Sequence, residues 1–210
     1  MTPTHEFTTP AEAWERTLTE IATTPLQIAM VITGGGTGAI SRCFGRSGAS
    51  VNFLEAVVPY CRSSTDQYLG CKPVESYSSL MTSKALAQVA YRRAESHSGS
   101  SRESVGISLT ATLPTDTTIR DVTGDQSAYH KTETTPGFRI YVSSCRTRIR
   151  KTWSLCFPDD TYGRDAAESI ADQMLLIAFH DTLEQHGLGR GSDPFGPLRE
   201  AGLDVTSISN

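Results

Sequence analysis

Leu26-Gln-Ile-Ala-Met-Val-Ile-Thr-Gly-Gly-Gly-Thr-Gly38 is the stretch on which the reading of the fold turns. Seven residues with one polar side chain among them are too few for a buried helix, and the glycines that follow stop the run, so it predicts a buried strand ending in a turn. Ala39 to Phe44 then resumes as helix. A strand that feeds a glycine-rich turn and a helix opens an α/β unit, in which a sheet is covered by helices. The turn itself offers unpaired backbone N–H groups and the positive end of a helix, both suited to a phosphate or carboxylate. Thr33 and Thr37 add hydroxyls there.

Upstream, Ala11, Trp14, Leu18, Ile21 and Ala22 recur at helical spacing and predict an amphipathic helix within Pro10 to Thr24. Downstream, Phe53 to Tyr60 reads as a strand that Pro59 places beside a loop, and Arg62 and Ser63 continue that loop. Ser79 to Glu95 is a helix. Val105 to Leu113 alternates at period two, and Phe138 to Cys145 with Ile149 to Phe157 predicts a hairpin around a basic tip of Arg146, Arg148, Arg150 and Lys151. That tip reads as a solvated edge in preference to a partner site. The Thr- and Asp-rich insertion from Pro114 to Pro136 has the length of a functional loop. Asp165 to His186 is the strongest helix, with a wide apolar face from Ile170 to Leu183. The expected architecture is a three-layer α/β/α sandwich over residues 1–187, followed by a Gly/Pro-rich C-terminal tail over 188–210.

Composition narrows the function. The chain has 210 residues, a size that one hydrophobic core serves well, and its net charge of −4 argues against nucleic acid or an anionic membrane as its main partner. Its apolar runs are far shorter than a membrane span, and the amino terminus has neither a basic nor an apolar signal region, so a soluble, cytoplasmic protein is expected. The five cysteines contain no Cys-x-x-Cys pair and the histidines no His-Glu-x-x-His, so no metal site is legible and no cofactor is expected. Gly34-x-Gly36-x-x-Ala39 satisfies a loose dinucleotide fingerprint, with Glu55 near the distance of a ribose-binding acid. Glu55 precedes Ala56-Val-Val58 instead of ending a strand, which disfavours a nicotinamide-dependent oxidoreductase.

Thr33-Gly-Gly-Gly-Thr-Gly-Ala39, Ser47-Gly-Ala-Ser50, Phe53-Leu-Glu-Ala-Val-Val-Pro-Tyr60, Tyr68-Leu-Gly70, Gly137-Phe-Arg-Ile-Tyr-Val142 and Cys156-Phe-Pro-Asp-Asp160 stand in an order and spacing that resemble the C-terminal domain family of the competence/damage-inducible protein CinA. The resemblance runs from about Ala11 to His186. Active members of that family deamidate nicotinamide mononucleotide, and the family usually self-associates, so the resemblance implies a nucleotide-like ligand and a homo-oligomer. The family's Glu-Ser-Cys-Thr-Gly-Gly motif puts its nucleophilic serine on Thr33 and its glutamate on Ile32. Its lysine, five residues after a tyrosine kept here as Tyr60, falls on Thr65. A Thr-Gly-Ile-Ala-Gly-Pro wall segment reads here as Thr110-Ala-Thr-Leu-Pro114.

Amide hydrolysis needs a nucleophile with a base in hydrogen-bond reach and donors for the oxyanion. Thr33 carries a β-methyl that crowds its hydroxyl, and no base is legible beside it. Three readings stay open. The leading one is a domain that binds a small phosphorylated nucleotide-like ligand through Gly34, Gly35, Gly36, Thr37, Gly38, Arg62 and Thr110, with the amidase machinery altered. The second is a working deamidase that uses Thr33 and Tyr60. The third is a non-catalytic interaction module.

Overall fold

The computed structural model describes residues 6–114, 137–158 and 161–209. The insertion expected at Pro114 to Pro136 lies, from residue 115 onward, outside them. In chain order the elements are α1 (Ala11–Ile21), β1 (Leu26–Thr33), α2 (Gly38–Phe44), β2 (Phe53–Val57), α3 (Arg62–Leu69), α4 (Leu80–His97), β3 (Glu103–Thr112), β4 (Phe138–Cys145), β5 (Arg150–Phe157), α5 (Arg164–Glu184), α6 (Gly196–Glu200) and β6 (Thr206–Ser209). The strands form one sheet in the order β2-β1-β3-β4-β5-β6. β1 runs parallel to β2 and β3, and the remaining neighbours are antiparallel.

Why β1 is an unbroken apolar run follows from its place. Leu26, Ile28, Met30 and Ile32 point into the core shared with α1, α2 and α5, while Ala29 and Val31 point to the opposite face, against Leu86, Ala90 and Ala94 of α4. With helices on both sides, both parities of a period-two strand must be apolar. α1 buries Trp14, Leu18 and Ile21 on the first face, where Trp14 and Phe53 each meet Phe179 of α5 edge-on at 5.8 and 5.9 Å. α4 starts at a true cap, with the Ser79 hydroxyl accepting from the Thr82 N–H at 3.1 Å. The expected hairpin is β4–β5, paired from Phe138↔Phe157 to Cys145↔Arg150.

Two stretches differ from their sequence reading. Arg62 and Ser63 do not lie on a loop: they open α3, a mostly polar helix that buries Thr65 and packs the partly buried Tyr68 and Leu69 against the α4-side core. Eight residues with so short an apolar stripe leave little periodicity to detect. Nor is the stretch after Gly187 a loose tail. Leu198 and Leu203 are buried in the main core, and β6 adds an edge strand to β5. This segment lies over α5 and supplies partners to two of its buried polar side chains: Gln173 Nε2 donates to the Pro194 carbonyl at 2.6 Å, and His180 Nε2 lies 2.8 Å from the Gly189 carbonyl. α5 is therefore buried around nearly its whole circumference, beyond the single apolar face that its periodicity suggests.

The basic hairpin tip is also rearranged. Arg146 turns inward and is only 6% exposed. Its guanidinium donates to Glu103 and Gln185, each at 3.0 Å, and to the Thr182 carbonyl at 2.8 Å, near the carboxyl end of α5. There a cation also complements the helix dipole. Lys151 pairs with Asp181 and Arg150 with the Gln88 side chain.

Candidate functional site

Open α/β sheets gather ligands at the carboxyl ends of their parallel strands, where successive connections leave to opposite faces. Here the link from β1 to β2 carries α2 on the α5 face, and the link from β2 to β3 carries α3 and α4 on the other. The register Thr33↔Thr110 brings the end of β1, and the glycine turn that follows it, beside the end of β3. Gly34 sits at φ +84°, and a Cβ there would collide with the Ala111 carbonyl oxygen, so the turn is laid directly against β3.

The residues assigned to nucleophile and base by resemblance do come together. Thr33 is 8% exposed, and its Oγ1 donates to the Pro59 carbonyl at 3.1 Å. Thr65 Oγ1 donates to the same oxygen at 2.9 Å and to the Cys61 carbonyl at 3.2 Å. Both hydroxyl protons are thus directed at backbone carbonyls, which are far too weakly basic to take them. Tyr60, next along the loop, is 64% exposed, and its hydroxyl lies close enough to Arg164 of α5 to favour the charged guanidinium.

The expected ligand-binding residues divide. Thr110 is buried and spends its hydroxyl on the Tyr77 carbonyl at 2.6 Å. Arg62 lies over the Tyr77 ring, 5.5 Å from its centroid, while the Tyr77 hydroxyl donates to Asp66 at 2.8 Å. Tyr77 therefore organises both positions, which the sequence reading did not include. Gly35 and Gly36 are buried, whereas Thr37 and Gly38 are exposed at the start of α2.

The turn's amides are turned to a use that the sequence did not disclose. The Gly36 N–H donates to Glu168 Oε2 at 2.6 Å, and the Ala39 N–H donates to Asp172 Oδ1 at 3.0 Å. The protein's own carboxylates occupy the place expected for a bound anion. A Cβ at Gly38 would strike Asp172 Oδ2, so a larger residue there would push that carboxylate aside. Arg164 completes the group, donating to Glu168 Oε1 from Nε at 3.0 Å and from Nη2 at 2.5 Å, and to the Pro114 carbonyl at 3.3 Å. Arg164, Glu168 and Asp172 are spaced four apart, so they form one charged stripe on the first half of α5. That spacing was the available signal, hidden by the stronger apolar pattern of the same helix.

Burial dominates the electrostatics of Asp172. It raises the carboxyl to about 6, against the lowering effect of the Ala39 N–H and the nearby Arg42, with Glu168 adding repulsion. For Arg164, burial opposes the charge, but Glu168 and Tyr60 outweigh it and hold the guanidinium above its ordinary value. Cys61, exposed at the start of α3, has its thiol lowered by the Ser63 hydroxyl, 3.2 Å away, and then by the Ser64 N–H. Among the described residues no group of three or more His, Cys, Asp or Glu side chains could hold a metal ion, and no helix is long and apolar enough to cross a membrane.

No protein-family model matches the sequence, and no curated protein matches it. Solved structures do. A CinA-superfamily protein from Klebsiella pneumoniae superposes with a TM-score of 0.63 at 10% identity, covering 83% of this chain and 97% of that one. A competence/damage-inducible protein from Agrobacterium tumefaciens gives 0.53 at 14% identity, covering 81% and 97%. A CinA-superfamily protein from Escherichia coli gives 0.57 at 12%, covering 86% and 95%. With so little identity the likeness is one of architecture: the fold of this chain is similar to that of CinA-superfamily proteins.

Proposed function

We propose that this CinA-like domain binds a small phosphorylated, nucleotide-like ligand at the carboxyl ends of β1 and β3 and does not hydrolyse it. One observation carries the reading: the hydroxyls of Thr33 and Thr65 both donate to the Pro59 carbonyl. These are the positions at which the family resemblance puts nucleophile and base. Two threonines sharing a carbonyl hold the loop to the strand end, but they cannot pass a proton along as a hydroxyl and an amine can. The groups left to meet a ligand are the exposed Tyr60 ring, the Arg164 guanidinium beside its hydroxyl, and Arg62, two residues along the chain and held over the Tyr77 ring. An aromatic face with cations near it suits a base stacked beside its phosphate.

The test is to measure ammonia release and thermal stabilisation with nicotinamide mononucleotide. Binding without turnover predicts a higher Tm, by the linkage of ligand to the folded state, and no ammonia above that of Thr33→Ala. Ammonia release that disappears in Thr33→Ala would establish the deamidase instead. Neither effect would leave the interaction-module reading. The self-association implied by the resemblance belongs to the same proposal and is read by sedimentation.

A further inference from the structure

Glu168 and Asp172 both accept from the glycine turn, but their settings are opposite. Asp172 is 8% exposed and lies beneath the start of α2. Glu168 stands at the rim, where its side chain and that of Arg164 are 29% and 38% exposed. Donors of two kinds converge on its carboxylate: the Gly36 N–H on one oxygen and two guanidinium nitrogens of Arg164 on the other. Together these are the contacts that a protein offers to a phosphate or carboxylate. Arg164 also has a partner other than Glu168, since its Nη1 donates to the Pro114 carbonyl, so the guanidinium stays tethered when Glu168 moves away. The pair itself is part-exposed and four apart on a helix, a kind of contact whose net stability is small.

We propose that Glu168 is a built-in plug: its carboxylate occupies an oxyanion subsite formed by the Gly36 N–H and Arg164, and an anionic group of a ligand binds by displacing it. The proposal rests on the ligand-binding reading above and adds the polar contacts and a gate. The gate is electrostatic as well as steric, because an incoming anion meets the Glu168 charge until that side chain swings out.

Inorganic phosphate is the probe, titrated into the whole protein with the Gly36 amide followed by NMR; acetate in parallel separates a phosphate site from a carboxylate site. Glu168→Ala and Glu168→Gln are expected to bind phosphate about tenfold or more tightly than the unmodified chain, with Ala at least as tight as Gln. Adding Arg164→Met to Glu168→Gln should abolish the gain. Equal phosphate affinity with and without Glu168, including no binding in either, or a Gly36 amide that does not move, overturns the plug. Glu168→Gln keeps the volume and an acceptor for Gly36, so it decides the matter should Glu168→Ala fold poorly. Failure of the plug is distinguishable from failure of the broader reading. Stabilisation by nicotinamide mononucleotide that is indifferent to Glu168 retains the ligand and removes the plug, whereas a phosphate gain without nucleotide binding does the reverse.

Discussion

The two ends of α5 bury charge in different ways. At the carboxyl end, Arg146 enters from the β4–β5 hairpin and finds Glu103, Gln185 and the Thr182 carbonyl. At the amino half, Asp172 is similarly inaccessible, and its Oδ1 accepts from the Ala39 N–H. Desolvation pushes both groups toward neutrality: it lowers Arg146 and raises Asp172. The difference lies in what answers it. Arg146 has carboxylate, amide and helix carbonyl acceptors that use its fork geometry, whereas Asp172 has one amide and a more distant Arg42. One end is a latch that joins hairpin to helix, and the other is a weakly compensated carboxylate beside the candidate site.

The sharpest way to break this contrast is to remove the latch. Arg146→Met should cost about 3 kcal/mol, since it leaves the Thr182 carbonyl and the Gln185 side-chain oxygen without their donor and takes the guanidinium from Glu103. Urea unfolding reads this directly, and a loss under about 0.5 kcal/mol would show that the buried cation is not a latch.

Asp172→Asn should act in the opposite direction. The folded carboxyl titrates at about 6 against an ordinary value of 3.8, so the native state holds its proton more tightly than the unfolded chain. Stability from this group is therefore greatest below pH 3.8 and declines as pH rises to about 6. An asparagine still accepts from the Ala39 N–H and never ionises. At pH 8 the variant is expected to gain on the order of 1–3 kcal/mol, and in the acid range the difference should vanish. A Tm difference that stays constant between pH 4 and pH 8 would contradict it.

The smallest effect concerns Lys151, whose partner Asp181 is buried but also faces the Gln185 amide at 3.4 Å. Lys151 itself is part-exposed and lies along the Trp153 ring, so Lys151→Met keeps most of its packing. It should cost about 0.5–1 kcal/mol and lose part of that difference in high salt. A loss as large as that of Arg146→Met would mean that the two cations form one network.

Much of the architecture was legible because it rests on local pattern. The apolar run of β1, the period-two alternation of β3, the β4–β5 hairpin and the long helices α4 and α5 each carry their signal within about twenty residues. α3 was not, because its helix is short and polar and is set by Gly70 at its end and by Tyr68 and Leu69 against the α4 side. The segment after Gly187 looked like a tail because its glycines and prolines dilute any periodicity. Its order comes from pairing with atoms far away in sequence: the Gly189 N–H donates to Glu20, 169 positions away, and β6 pairs with β5.

The candidate site divides along the same line. From residues alone came the strand end, the glycine turn and the placing of Thr33, Tyr60 and Thr65 in one neighbourhood through a family likeness. Only tertiary structure decided where the hydrogen bonds go: Thr33 and Thr65 to one carbonyl, Thr110 to Tyr77, and the turn's amides to Glu168 and Asp172. The physical reason is range. Strand and helix patterns are written in neighbours a few residues apart, whereas the Gly36 amide meets a carboxylate 132 positions away, and no local spacing encodes that encounter.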